Sequence, residues 1–419
     1  MSNQQVEVCP TCGHSMPVIP GYVTWCEQCD WNISPTESDA KSPTLMRRLQ
    51  SRLGARSANL LYEELSNAAV STHPVTLGTI GAYLFSFLLH AASIGMVCLA
   101  IHEIFWSRTI GEFMLGFIIL AVSVVLFWPV KRKIHGMKLH RSDYPALHRL
   151  MDEIANQLNA PKVDRLVANS EFNAFITRTG MRRKSVVGIG IPLFSVLNLQ
   201  EKISVLAHEM GHHANADLTR RFIVRQALRT LGLWYGFLFP KTDYLEIIGP
   251  FHYVIAFIRK RLADVVYYAY LLLGLSVWKQ SQRAEYFADM TSARIAGTEA
   301  AVSALGKMHF APTFFMTLKK VAHYRYSNEL FEEVRKFTRS IPEKEERRLN
   351  KIRESAPASL DDTHPPTLYR IRHLNRQPVG SFGLSMDESF CEQLNQEFAQ
   401  LEKATERRLL DDYRAWYIE

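Results

Sequence analysis

The chain has 419 residues, of which 47% are hydrophobic and 21% charged. This length is sufficient for two or three domains with a sizeable core, and the composition excludes a disordered or low-complexity protein. The formal net charge of +8 does not by itself indicate a nucleic-acid partner, because its meaning depends on where the basic residues lie.

Two Cys-x-x-Cys pairs lie near the N-terminus. They are Cys9 with Cys12 and Cys26 with Cys29. Two such pairs are more typical of a four-thiolate zinc site than of disulfides, and thiolate ligands persist only in a reducing compartment. We therefore predict a zinc ribbon over residues 1–34, with Gly13 supplying permissive backbone after the first pair. The metal would provide the stability that so short a segment lacks.

The role of the ribbon stays open between a structural module and a binding site for a protein partner. A nucleic-acid role is disfavoured, because residues 1–40 contain no arginine and the first lysine is Lys41. The opening residues MSNQQVEVCPTCGHS lack the basic and apolar regions of a cleavable signal peptide. We therefore expect the N-terminus to be cytosolic.

Residues 35–74 are predicted to form a linker and a basic juxtamembrane segment ahead of two long apolar runs. The runs, residues 75–101 and 113–130, contain no charged residue. Each is long enough to cross a bilayer as a helix, so we predict two transmembrane helices within 75–130. A pair of buried core helices is the alternative.

Basic residues flank this predicted hairpin on its outer sides. They are Lys41, Arg47, Arg48, Arg52 and Arg56 before it, and Lys131, Arg132, Lys133, Lys138 and Arg141 after it, whereas the short loop between the runs has only Arg108. The positive-inside rule then places both outer ends in the cytoplasm, where the basic residues also meet anionic lipid headgroups. We predict an integral membrane protein; a prokaryotic cytoplasmic membrane fits best, with an organelle membrane as the alternative.

Residues 131–380 mix helical and β-rich patterns and are predicted to form one α+β, mainly helical domain. Residues 300–419 are largely charged and helical in pattern, and their segments KEERRLNKIRES and EKATERRLL are predicted to be solvated helix faces. Residues 381–419 are predicted to form a charged C-terminal helix. Within the domain, residues 231–278 are apolar but interrupted by Arg259, Lys260 and Arg261. A hairpin turning there would place positive charge outside. We favour interfacial helices, with a second hairpin of about 226–240 and 263–278 as the alternative.

The segment LAHEMGHHANAD, residues 206–217, contains a His-Glu-x-x-His pattern on a stretch with helical periodicity that begins near Asn198 or Gln200. His208 and His212 are four residues apart and share a helix face, with Glu209 beside them. His213 lies about 140° away from His208 around the helix and cannot join them. The pattern predicts a metal site with His208 and His212 as ligands and Glu209 as a general base.

A third ligand has to come from elsewhere in the chain, because Asn215 and Leu218 occupy the glycine and histidine positions of the metzincin extension. The segment SQRAEYFADMTSARIAG (281–297) offers Glu285 and Asp289, which share a helix face. Glu285 can bind zinc directly, and Asp289 can accept a hydrogen bond from the second nitrogen of a ligating histidine. A solvated acidic helix face is the alternative interpretation.

Four segments in order, EFNAF (171–175), LAHEMGHHANAD, RAEYFAD and DTHPPTLYRI (362–371), resemble those of the HtpX-like and CaaX-prenyl-protease family of membrane-associated zinc metalloendopeptidases, which are gluzincins. The similarity covers roughly residues 145–375. The N-terminal ribbon lies outside the usual family pattern, so the resemblance implies nothing about its role.

The resemblance implies a gluzincin-type metallopeptidase domain and a role for each matching residue. His208, His212 and Glu285 would bind the catalytic zinc, and Asp289 would hydrogen-bond to a ligand. Asn173, Ala174 and Phe175 would belong to an edge strand that pairs with the substrate backbone. His364 would lie near the active site and steady the oxyanion.

Three protein ligands leave one zinc position open for water, so the expected reaction is peptide-bond hydrolysis with Glu209 as the base. We expect two zinc ions, one catalytic and one structural in the ribbon. The expected partners are protein or peptide substrates at the membrane, the lipid bilayer, and a protein bound through the ribbon. The alternative function is a membrane-tethered zinc-ribbon adaptor with an inactive peptidase-like scaffold, although a scaffold has no need of Glu209.

Overall fold

The structure is a computed structural model that describes residues 5–33, 45–66, 77–127, 134–180, 183–215, 222–239, 251–324, 329–339, 341–355, 364–380, 384 and 386–417. Lys41 and the cluster from Lys131 to Lys133, on which part of the predicted orientation depends, lie outside these residues. Residues 35–44 and 67–74 of the predicted linker and juxtamembrane segment also lie outside them.

The described elements form a mainly helical α+β protein, as predicted. In chain order they are β1 (Val6–Val8), β2 (Ser15–Pro17), α1 (Leu45–Ser66), α2 (Leu77–Trp106), α3 (Ile110–Phe127), β3 (Met137–Leu139), α4 (Pro145–Gln157), β4 (Arg165–Asn169), β5 (Ala174–Thr179), β6 (Lys184–Gly190), α5 (Ile191–Phe194), α6 (Leu199–Ala214), α7 (Phe222–Leu238), α8 (Phe251–Ala296), α9 (Thr298–Lys307), α10 (Ala311–Tyr324), α11 (Leu330–Arg339), α12 (Glu343–Ser355), α13 (Thr367–Arg376) and α14 (Glu388–Tyr417).

The chain divides into two compact units. The first comprises residues 1–70, 133–215 and 282–419, and the second comprises residues 71–132 and 216–281. The predicted ribbon, most of the predicted 131–380 domain and the C-terminal helix therefore belong to one unit. Residues 216–281 instead cluster with the two predicted transmembrane helices.

A four-stranded sheet in the order β3–β4–β6–β5 supports the first unit, with β4 and β6 parallel and the other pairs antiparallel. Strand β5 is at the edge of this sheet. Two glycines of β6 allow β5 and the bend before it to approach β6 closely. A Cβ at Gly188 would lie 2.3 Å from the ring of Phe175. A Cβ at Gly190 would lie 2.0 Å from the carbonyl oxygen of Asn173. The glycines thus fix where the edge strand begins.

The second unit is built from α2, α3, α7 and the first part of α8, up to residue 281. By length and composition, α2 and the Val254–Ala296 part of α8 are sufficient to cross a membrane, and α3 is a shorter apolar helix. The buried positions of α2 hold small residues, namely Ala82, Ser86, Ser93 and Ala100. Small residues allow close helix packing in lipid, while large apolar side chains such as Phe87 and Phe117 remain exposed.

Helix α1 is an element that the sequence does not predict, since it occupies much of the supposed linker and juxtamembrane segment 35–74. Its buried residues are Ala58, Leu61, Tyr62 and Leu65, which follow the spacing of one helix face. Leu61 and Leu65 cluster with Tyr286 in the first unit. Residues 58–65 of this helix are therefore part of a packed core.

Candidate metal centres

Helix α6 carries the His-Glu-x-x-His segment and begins where the sequence predicts. Asn198 is its N-cap: the side chain accepts a hydrogen bond from the backbone nitrogen of Glu201 at 2.9 Å, and the Glu201 carboxylate accepts one from the backbone nitrogen of Asn198 at 2.7 Å. This reciprocal pair satisfies two backbone donors at the start of the helix. The cap fixes the helical phase of the two histidines that follow.

Close packing of α6 against α8 brings Glu285 to these histidines. Gly211 allows the approach, because a Cβ at this position would lie 3.1 Å from the Cα of Ala288. Further along the interface, the hydroxyls of Ser204 and Ser292 are 2.6 Å apart, and Ser292 also donates to the carbonyl oxygen of Ser204. The helices thus meet through small and hydroxyl side chains around the site.

His208, His212 and Glu285 converge, each offering one potential ligand atom within 4.8 Å of the others. The Nε2 atom of His208 lies 3.5 Å from Oε2 of Glu285, and Nε2 of His212 lies 3.4 Å from Oε1. Tetrahedral zinc with nitrogen and oxygen ligands requires separations of about 3.4 Å. The donor set and its spacing therefore fit a zinc ion.

The second nitrogen of His208 faces Asp289, with Nδ1 3.0 Å from Oδ1. A ligating histidine commonly donates from its other nitrogen to a carboxylate, which fixes the tautomer that leaves Nε2 free for the metal. Asp289 is in turn held by Arg370, whose Nη2 and Nε donate to the two carboxylate oxygens at 2.6 and 2.7 Å. All three side chains are buried.

These carboxylates also change the protonation of His208. Burial alone would lower the pKa of His208, but its hydrogen bonds to Asp289 and Glu285 outweigh burial and raise the pKa to about 10. So much negative charge around one imidazole favours a cation here, either a proton or a metal ion, and the two compete for the same nitrogen.

His364 lies at the same cluster. Its Nδ1 atom donates to Oε2 of Glu285 at 2.5 Å, and its side chain is 45% exposed. The structure therefore places this histidine between the buried carboxylate and solvent. Asp362 and Thr363, which precede it in the motif, lie outside the described residues.

The remaining predicted site residues are Glu209 and the Asn173–Phe175 segment. Glu209 is buried on α6, next to His208. Ala174 and Phe175 begin the edge strand β5, which packs against α6, and Asn173 directly precedes it. The edge strand and the histidine helix are thus neighbours within one unit.

The four ribbon cysteines form a second cluster, with sulfur atoms within 4.8 Å of one another. The sulfurs of Cys9 and Cys29 are 3.6 Å apart, and those of Cys12 and Cys26 are 3.5 Å apart. Tetrahedral zinc with thiolate ligands requires about 3.8 Å, and all four cysteines are free. Gly13 has a φ of 74° after the first pair, as its proposed role requires.

Arg370 is the member of the site that the sequence does not single out. It lies six residues after His364, inside the DTHPPTLYRI segment, and is 4% exposed. Its Nη2 atom is also 3.9 Å from Oε2 of Glu285. An arginine on a polar helix is ordinarily solvated. Only its place inside the DTHPPTLYRI segment therefore relates Arg370 to the site in the sequence.

Comparison with known proteins identifies relatives of this chain. The sequence model of peptidase family M48 matches residues 142–377. A protease HtpX homolog from Pyrococcus abyssi is 28% identical over 265 residues, covering 61% of this chain and 79% of the relative. A homolog from Pyrobaculum calidifontis is 26% identical over 250 residues, covering 56% and 69%. Protease HtpX from Pseudomonas putida is 31% identical over 147 residues, covering 33% and 46%.

Proposed function

The chain belongs to peptidase family M48 and is a membrane metalloprotease, and we propose that it is a zinc-dependent endopeptidase that hydrolyses peptide bonds in membrane or membrane-proximal proteins. The observation that carries this proposal is the convergence of His208, His212 and Glu285, with Asp289 on the free nitrogen of His208. A metal-binding triad with an ordered tautomer and a neighbouring glutamate is the machinery of metal-assisted hydrolysis.

In the proposed mechanism, His208, His212 and Glu285 would hold a zinc ion, which would supply Lewis-acid activation of a water molecule and of the scissile carbonyl. Glu209 takes the proton of this water and delivers it to the leaving amine. His364 donates a hydrogen bond to the oxyanion that develops on the carbonyl oxygen. The role of His364 is supported by its position against Glu285 and by its partial exposure.

We assign substrate binding to the edge of β5. An edge strand presents unpaired backbone groups to which an extended peptide can add as a further strand. Asn173, Ala174 and Phe175 would hold the substrate backbone beside α6. Because recognition through backbone hydrogen bonds is tolerant of side chains, we expect a broad range of cleaved sequences.

We also propose that α7 and α8 form a second transmembrane hairpin, instead of the interfacial helices that the sequence favours. Arg259 Nη2 donates to the carbonyl oxygen of Phe237 at 3.5 Å, at the C-terminal end of α7. From there to residue 281, α8 extends about 33 Å, which matches a bilayer core of about 30 Å. The basic cluster would then lie at the outer interface and its side chains would reach the headgroups.

Four spans are an even number, so the N-terminus and the catalytic residues would both be cytoplasmic. This agrees with the thiolates of the ribbon, which need a reducing compartment. The protein would thus cleave substrates at the cytoplasmic face of its membrane, which we take to be a prokaryotic cytoplasmic membrane.

The test is zinc content per chain and casein cleavage by the full-length protein in detergent. We expect two zinc ions in the wild type, one in Glu285→Ala and one in Cys26→Ala. Glu209→Gln should keep both ions and lose cleavage by at least about 100-fold, as expected for loss of a general base. A wild type that binds only the ribbon zinc and cleaves nothing would instead support the membrane-tethered adaptor.

A further inference from the structure

One face of helix α12 binds the ribbon. Four basic residues at helical spacing form this face. Lys344 donates to the carbonyl oxygen of Pro17 at 2.9 Å, and Arg347 donates to the Glu27 carboxylate at 2.9 Å. Arg348 donates to the carbonyl oxygen of Ile33 at 2.7 Å, and Lys351 donates to the Asp30 carboxylate at 2.6 Å. This corrects the prediction that KEERRLNKIRES is a solvated helix face. The face is a docking surface for the N-terminal module of the same chain.

Arg348 shows that the contact is a packed interface. Its side chain is fully buried and forms a two-point pair with Glu345, with both distances 2.7 Å. Its remaining nitrogen donates to the carbonyl oxygen of Ile33 in the ribbon. A buried guanidinium needs every such partner, since leaving a donor unpaired away from water is costly.

Helix α11 provides a second contact. The hydroxyl of Tyr22 donates to the carbonyl oxygen of Phe337 at 2.5 Å, and the two rings meet edge to face at 5.7 Å. Gly21 is required here, because a Cβ would lie 2.2 Å from the Phe337 ring and its φ is 88°. The ribbon is therefore held by both helices.

The docked helix leads to the catalytic cluster. Helix α12 packs against α13, and α13 carries Arg370 and begins three residues after His364. Arg370 holds Asp289, and Asp289 holds His208. A continuous chain of contacts within one unit thus runs from the ribbon cysteines to a residue of the metal triad.

We propose that the ribbon is an intramolecular clamp whose metal keeps α11 and α12 in place, and with them the packing of α12 against α13, so that loss of the ribbon metal lowers turnover while the catalytic metal stays bound. The clamp rests on the endopeptidase function proposed above. The ribbon docks on α11 and α12 of its own chain, so a second protein cannot bind the ribbon through the same surface. The residues of the interface act by positioning His364 and Arg370.

The test uses the full-length protein in detergent and three measurements: zinc per chain, hydrogen exchange of peptides from α12 and α13, and kcat and KM on a fluorogenic peptide. Cys29→Ser removes a ribbon ligand. Arg347→Glu with Lys351→Glu breaks the docking and leaves the cysteines intact, and adding Glu27→Lys with Asp30→Lys restores opposite charges. Arg408→Glu, which breaks an exposed ion pair with Asp412 on α14, is the matched control.

We expect Cys29→Ser to lose one zinc ion of two, to exchange faster in both helices, and to lower kcat by about 5-fold or more with little change in KM. The double charge reversal should reproduce the exchange and kcat effects with both ions retained, and the fourfold variant should reverse them. The control should behave as the wild type.

Faster exchange confined to residues 5–33, with kcat unchanged, would overturn the clamp, as would a fourfold variant that stays as impaired as the double one. If the wild type binds two zinc ions and cleaves nothing, the endopeptidase proposal fails. The exchange of α12 and α13 then decides on the clamp alone.

Discussion

At the scale of single residues, the buried pair of Arg370 and Asp289 connects α13 to the metal triad. Replacing Arg370 by glutamine would leave a buried carboxylate without its cation. Breaking such a pair costs roughly 3–5 kcal/mol of folding free energy. Because Asp289 also orients His208, the affinity for the catalytic zinc should fall by about 10- to 100-fold.

Thermal unfolding and competition with a zinc chelator would measure the two effects of Arg370→Gln. Arg372→Gln is the control, since Arg372 is exposed on the same helix and its loss should change stability by less than about 0.5 kcal/mol. Equal stability and equal zinc affinity in the two variants would contradict a role for Arg370 in the site.

The sequence predicts which residues form the triad more readily than it predicts what supports them. His208, His212, Glu285 and Asp289 are recognisable because i,i+4 spacing places each pair on one face of a helix. Arg370 is 81 residues from Asp289 along the chain, and no local spacing relates the two. Such a contact depends on tertiary packing, which periodicity does not encode.

At the scale of secondary structure elements, α1 supports both helices that carry site residues. Leu61 and Leu65 pack on Tyr286, beside Glu285, and Tyr369 adjoins this cluster, beside Arg370. Tyr62 and Tyr369 stack with their centroids 4.9 Å apart. Helix α1 thus packs against the two helices that carry the candidate metal site.

Leu61→Ala tests this support. Leu61 is 1% exposed, whereas its neighbour Leu60 is 56% exposed. Truncating the buried leucine should destabilise the protein by about 2–5 kcal/mol, and truncating the exposed one should cost less than about 0.5 kcal/mol. Thermal unfolding of the two variants in detergent measures the difference, and matching transition temperatures would show that 45–66 is a linker after all.

Helices α1 and α12 are packed for a reason that their sequences do not indicate. Both are rich in charged residues, so their sequences indicate solvated or juxtamembrane helices. In the part of α1 whose side chains are described, four apolar residues are buried. In α12 the basic residues that bind the ribbon are Lys344, Arg347, Arg348 and Lys351. The charged side chains of a helix face need either water or partners of opposite charge. Only the fold shows which of the two they meet.

At the scale of the whole molecule, the sequence favours one transmembrane hairpin, and the second is our proposal from the contacts of α7 and α8. Residues 75–101 and 113–130 are uninterrupted by charge, which leaves few alternatives to a transmembrane helix. In α8, Arg259, Lys260 and Arg261 interrupt the apolar run, and the positive-inside rule argues against a crossing. The structure shows that these residues lie within a helix, level with the end of α7, and do not form a turn.

Labelling with a membrane-impermeant thiol reagent distinguishes the two topologies. One new cysteine at a time, at Ser107, Lys241 or Ser142, would be introduced into a background with Cys98→Ser and Cys391→Ser. This background keeps the four ribbon cysteines, so its own labelling without an added cysteine is subtracted. Four spans predict that Ser107→Cys and Lys241→Cys react in intact cells, and that Ser142→Cys reacts only after permeabilisation. Interfacial helices predict that Lys241→Cys behaves like Ser142→Cys. Ser107 lies between the two charge-free apolar runs, so its labelling serves as the reference for the outer face. The labelling of position 241 then decides whether α7 and α8 cross the bilayer.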